Sequence, residues 1–224
     1  GFDSKYLEAQ QSFIERALEL LWEREMPLES LGIQTSNSVL HFGGPLVLHA
    51  GDEAKVLDLC FEATLSVAEL ERATHLTTTA ERLLTVENRK TTFLQLVRAD
   101  AARSTLIVAT SFPTRAVRLL LEKLPRELPH HHFGDTDAAG WDILRRLREV
   151  SGRAVRPFQM RWRSKTDALP LTQRDHQILT RLLSDPSMAD CYAELRAMHQ
   201  AGTKGDFEQE SLGRPNLERW PFYG

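Results

Sequence analysis

The spacing of apolar positions changes along the chain and divides it into elements. Over residues 4–24, Leu7, Phe13, Ile14, Ala17, Leu18 and Leu21 recur at helical spacing behind the capping residue Ser4, and Gly32 closes the segment. Val39–Phe42 and Leu46–Leu48 flank Gly43-Gly44-Pro45, a pattern that predicts a hairpin or an edge strand. Residues 54–70 contain neither Pro nor Gly, and one or two helices are expected there.

From residue 83 onward short apolar runs alternate with helical stretches. Leu83–Val86 and Leu106–Ala109 have the length and composition of buried strands. Thr114 can cap a helix running to Lys123, with Ala116, Val117, Leu120 and Leu121 facing inward. His131-His132-Phe133 leads into Gly134-Asp135, and Trp141, Leu144, Leu147 and Val150 mark a helix over 138–150. A strand over 154–158 and helices over 172–184 and 187–200 follow, and the tail from Gly202 reads as irregular. Strands alternating with helices imply βαβ units. The expected fold is therefore α/β, a Rossmann-like and mostly parallel sheet flanked by helices. A smaller, mixed α+β segment over 1–80 leads into this domain, which covers 81–224.

Composition narrows the setting more than the function. A chain of 224 residues with 42% hydrophobic and 26% charged residues has the make-up of a soluble globular protein with a proper core. No apolar run is long enough to cross a bilayer, and the opening residues do not have the form of a secretion signal. A cytoplasmic protein without a membrane anchor is expected. Cys60 and Cys191 are far apart and are expected as buried thiols in helices. The net charge of −3 points to no partner, but residues 145–163 hold seven arginines against one acid, Glu149. Such a local excess suits phosphate contact, with Arg145, Arg153 and Arg156 as candidates, and it equally suits a solvated helix face.

The candidate chemistry lies where strands end. In an open parallel sheet ligands bind beyond the carboxyl ends of the strands. Glu87 and Asp135 each follow an apolar strand, and Asp137 lies two residues on. Three carboxylates at one edge call for a cation, and oxygen-only donors suit Mg²⁺ or Mn²⁺. Asp137 is equally suited to cap the 138–150 helix, and Asp135 to form a turn. Asn88, Arg89 and Lys90 follow Glu87, where they can meet a phosphate or simply solvent. His130, His131 and His132 are candidate ligands, but adjacent strand residues face opposite sides, so one is expected buried and another exposed. Trp141 is expected in the core. Ser111 and Thr114 can bind phosphate at a helix start or act only as turn and cap.

Val86-Glu87-Asn88 with Thr91-Thr92-Phe93, followed by Phe133-Gly134-Asp135-Thr136-Asp137-Ala138-Ala139-Gly140 and Trp141-Asp142-Ile143-Leu144, resembles the TOPRIM domain of topoisomerase VI A subunits and Spo11. It is more similar still to the C-terminal region of the JetD family, the nuclease subunits of Wadjet anti-plasmid systems. The resemblance extends to Asp3-Ser4-Lys5 and to Glu208-Gln209-Glu210, and so spans nearly the whole chain. It implies a metal-dependent DNA endonuclease in which Glu87 is the catalytic acid or base, Asp135 and Asp137 hold Mg²⁺ or Mn²⁺, and Glu210 and Glu208 complete the site. It further implies double-stranded plasmid DNA as substrate, an SMC-like motor as partner, and a homodimer. Members of the family carry an N-terminal arm and a winged-helix region, so the chain is expected to be a fragment. Tyr6, Tyr192 and Tyr223 stand in no nucleophile context, which favours hydrolysis over covalent strand cleavage of the topoisomerase VI kind. A non-catalytic scaffold binding DNA or a partner through the 145–163 arginines is the third reading.

Overall fold

The computed structural model describes residues 4–22 and 39–212. Seven strands form one sheet: β1 (Val39–Ala50), β2 (Glu53–Ser66), β3 (His75–Thr77), β4 (Arg82–Val86), β5 (Thr105–Ala109), β6 (His130–Phe133) and β7 (Arg156–Pro157). Their order is β2-β1-β5-β4-β6-β7, with β3 also on β1. β5, β4, β6 and β7 run parallel, and β1 joins β5 antiparallel. The helices are α1 (Ser4–Trp22), α2 (Val67–Arg72), α3 (Leu94–Ala99), α4 (Arg115–Lys123), α5 (Ala138–Ser151), α6 (Gln173–Ser184) and α7 (Tyr192–Ala201). This is the expected α/β architecture, a mostly parallel sheet flanked by helices.

Alternation along the strands sends side chains into two cores. Leu83, Leu106 and Val108 face α2, α4 and α5, with Trp141, Leu144 and Leu120 fully buried against them. Leu84, Val86, Ile107 and Phe133 face the other way and are covered by Phe93, Leu96 and Val97 of the segment leading into and through α3. The helix boundaries have local causes. Thr114, Asp137 and Thr172 cap α4, α5 and α6 through hydrogen bonds to Val117, Gly140 and Asp175, and Gly152 closes α5 at a left-handed φ of 59°.

Three expectations are corrected. Residues 54–66 form β2 rather than a helix, because Val56, Phe61 and Thr64 suit a strand and β1 supplies the pairing partner. Gly43-Gly44-Pro45 is not a turn: β1 continues through a bulge there, with Gly44 at φ +98 and a Cβ on it only 2.3 Å from the Thr105 carbonyl oxygen. The hairpin instead turns at Gly51-Asp52. Cys60 accordingly lies in a strand, while Cys191 is buried at the end of a 3₁₀ turn over Pro186–Cys191. Residues 23–24 of the first expected helix and Gly32 lie outside the described residues. Among the described residues no helix is long and apolar enough to cross a membrane.

Candidate active site

β4 and β6 are adjacent and parallel, with Val86 opposite Phe133, so the chain leaves both strands at the same level. The Glu87 backbone N–H donates to the Phe133 carbonyl at 3.0 Å. Two residues beyond Phe133, the Asp135 N–H donates to Glu87 Oε2 at 3.0 Å. The Glu87 carboxylate is thus held against the main chain of Asp135, the first residue of the expected Asp135–Asp137 pair. Gly134, between them, leaves a cradle that a side chain would fill: a Cβ there would lie 2.8 Å from Glu87 Oε2 and 2.7 Å from His132 Nε2. Gly140 allows a second close approach, since its Cβ would sit 2.1 Å from the Asp135 carbonyl oxygen. The first turn of α5 therefore rests directly on the Asp135 loop.

Asp137 is placed differently. Its Oδ1 accepts the Gly140 N–H at 3.0 Å as the cap of α5, and its Oδ2 takes the Lys204 ammonium at 3.1 Å. Lys204 also reaches Asp175 Oδ1 at 3.6 Å. Burial lowers the affinity of Lys204 for its proton, but the Asp137 and Asp175 carboxylates outweigh this and leave its pKa raised. With Asp137 serving α5 and Lys204, Glu87 and Asp135 are not joined by a third acid: among the described residues no group of three or more His, Cys, Asp or Glu could hold a metal ion. Glu208 is exposed, and the Glu210 side chain lies outside the described residues.

Sequence reasoning passed over Gln209, which is fully buried beneath this edge. Its backbone N–H donates to Asp135 Oδ1 at 2.7 Å, its side-chain oxygen accepts the Asn88 N–H at 2.9 Å, and its side-chain nitrogen donates to the Phe133 carbonyl at 2.5 Å. Just upstream, the Phe207 carbonyl accepts the Thr136 N–H at 2.8 Å. The segment from Lys204 to Gln209 thereby straps the loops after β4 and β6. An uncharged amide in a polar tail has no periodicity or charge pattern to mark it beforehand.

The other candidates divide. Asn88 Oδ1 accepts the Thr91 N–H at 3.1 Å, capping a π-helical turn over Arg89–Phe93 that directly follows Glu87. Arg89 pairs with Glu62 at 3.0 Å, and Lys90 is exposed on the same turn. Arg145 is buried against Asp142 at 2.7 Å and also reaches Glu149 at 3.0 Å. Arg153 is buried beneath the end of α4, donating to the carbonyls of Leu121, Leu124 and Pro125 at 3.0, 2.6 and 2.8 Å. Both guanidiniums are thus committed inside the protein, whereas Arg156 is exposed. All three histidines of the 130–132 run are buried, against the expectation that one would face solvent. Thr85 explains two of them, its hydroxyl lying 3.2 Å from His130 Nε2 and 3.0 Å from His132 Nδ1. Trp141 is in the core as expected. Thr114 is the cap of α4, and Ser111 is exposed. Tyr192 lies in α7 with its hydroxyl on the Asp185 carbonyl at 2.9 Å.

Chemically, the edge offers two carboxylates at neighbouring strand ends, an oxygen donor set of the kind that hard divalent cations take. The Gly134 cradle keeps side-chain carbon away from the Glu87 oxygen.

Compared with known families, residues 40–220 match the family described as Wadjet protein JetD, C-terminal. A comparison with curated proteins finds no match.

Proposed function

Since the chain belongs to the Wadjet JetD C-terminal family, and with it to a component of that defence system, we propose that it is a metal-dependent endonuclease domain of TOPRIM type that cleaves plasmid DNA. The observation that carries this reading is the convergence of Glu87 and Asp135 at adjacent strand ends, joined by the Asp135 N–H on Glu87 Oε2. Bound there, Mg²⁺ or Mn²⁺ would polarise a phosphodiester and favour deprotonation of the attacking water. Glu87 and Asp135 would hold the ion, and Glu87 would also accept or return the proton. Asp137 shapes the site from behind, fixing the start of α5 under the Asp135 loop through its bond to Gly140. It would join the donors only by giving up Lys204.

DNA would approach over the exposed side of the π-helical turn, where Lys90 faces solvent. The wider assembly of this proposal is a cytoplasmic homodimer, giving one site per strand of the duplex, driven by SMC-like motor subunits. Because Arg145 and Arg153 are occupied inside the protein, they give no support to a scaffold that grips DNA through that run. Tyr192, bonded to Asp185, gives none to covalent strand cleavage.

The test is cleavage of closed circular plasmid by the full-length protein, with its motor subunits, in Mg²⁺ or Mn²⁺. Glu87→Ala and Asp135→Ala are each expected to abolish cutting while the complex still assembles. Cutting at the wild-type rate by both variants would refute the proposal.

A further inference from the structure

We propose that Gln209 is a positioning residue that sets the geometry of the Glu87–Asp135 pair. The inference rests on the metal-site reading above and deepens it. Gln209 is the point where two separate pieces of chain meet: the exit of β4 at Asn88, and the exit of β6, which it touches at the Phe133 carbonyl and the Asp135 carboxylate. Its amide is matched to the task at both ends. The side-chain oxygen can only accept and meets the Asn88 N–H at 2.9 Å; the side-chain nitrogen can only donate and meets the Phe133 carbonyl at 2.5 Å. Because the side chain is fully buried, each unmade bond would leave a polar group without water to replace it.

The consequence for Asp135 is indirect but specific. The group that bonds Asp135 Oδ1 is the backbone N–H of Gln209, at 2.7 Å. That N–H survives any substitution at 209 except proline, yet its position depends on the side chain that anchors it to Asn88 and Phe133. The anchors stand on the same two strand ends that present Glu87 and Asp135. Gln209 thus fixes the Asp135 carboxylate relative to the Glu87 strand, as partners behind metal ligands commonly do.

Gln209→Met tests this, since it nearly preserves volume and removes both side-chain hydrogen bonds. The full-length protein is titrated with Mn²⁺ alone, followed by electron paramagnetic resonance, and amide hydrogen exchange is read at Asn88. The half-saturating Mn²⁺ concentration is expected to rise about 10–100-fold, with faster exchange at Asn88. In the plasmid assay kcat falls and KM for DNA does not change. Gln209→Asn, which keeps both polar ends on a shorter arm, is expected between wild type and Gln209→Met, and it carries the test if Gln209→Met does not fold. Asp135→Asn runs beside them. Wild-type Mn²⁺ affinity in a folded Gln209→Met, with affinity lost in Asp135→Asn, overturns the role of Gln209 and leaves the metal site standing. Wild-type affinity in Asp135→Asn as well overturns the metal site and this proposal with it.

Discussion

The buried histidine run of β6 predicts a steep loss of stability in mild acid. His131 and His132 are both buried, at 8% and 0% exposure. Burial, with Arg156 and Arg82 nearby, pushes His131 down to about 4. Burial also pushes His132 down to about 3, against a smaller opposing pull from the Thr85 backbone. His130 is lowered in the same direction by burial and by its charged neighbours. In the unfolded chain each histidine titrates near 6.5. A base whose pKa is lowered by folding binds its proton first in the unfolded state. The stability is therefore complete above about pH 6.5 and falls as pH drops toward the folded values.

Each group contributes a slope of about 1.4 kcal/mol per pH unit across that window. Between pH 6.5 and 4.5, His131 and His132 together remove roughly 4–5 kcal/mol, a large part of the whole stability of many domains. The carboxylates held low by folding, such as Asp175 and Glu149, start from ordinary values of 3.8 and 4.5, so their losses lie at lower pH. Urea unfolding followed by tryptophan fluorescence at pH 7.5, 6.5, 5.5 and 5.0 measures the slope. His132→Gln, whose amide can still meet Thr85, is expected to reduce it by about 1.4 kcal/mol per unit. A wild-type stability that is flat between pH 6.5 and 5.0, or a His132→Gln variant with the full slope, would show that these histidines do not carry the acid sensitivity.

Two further substitutions probe the edge itself. Gly140→Ala places a methyl group 2.1 Å from the Asp135 carbonyl oxygen, so backbone must move; a loss of about 1–3 kcal/mol and impaired plasmid cutting are expected, read by urea unfolding and the cleavage assay. Lys204→Met leaves Asp137 and Asp175 facing each other without their cation and should cost about 1–3 kcal/mol at pH 7. Combining it with Asp137→Asn should recover part of that loss, and strict additivity in the double-mutant cycle would count against the ion pair.

The legible part of the molecule was the part governed by local rules. Strand ends at Val86 and Phe133, the α5 stripe of Trp141, Leu144 and Leu147, and the caps Thr114 and Asp137 all follow from period and side-chain chemistry within a few residues. That is why Glu87 and Asp135 could be placed at one sheet edge in advance. What failed depended on partners distant in sequence. Residues 54–66 became a strand because β1 was there to pair with them, and Gly43-Gly44 became a bulge because β5 crosses beside it. The arginine count over 145–163 was visible, but not that Arg145 meets Asp142 or that Arg153 meets the end of α4. Asp137 illustrates both sides: its capping role was readable from its place just before the 138–150 helix, its bond to Lys204 was not.

Glu87 and Asp135 are proposed to share a divalent cation. An anomalous difference map from crystals of the protein soaked in Mn²⁺ tests it most directly. A peak is expected at the β4–β6 strand ends, about 2.1 Å from a carboxylate oxygen of each residue, and it is expected to vanish in Asp135→Asn. A protein that cuts plasmid in Mn²⁺ yet shows its only peak away from both carboxylates would contradict it.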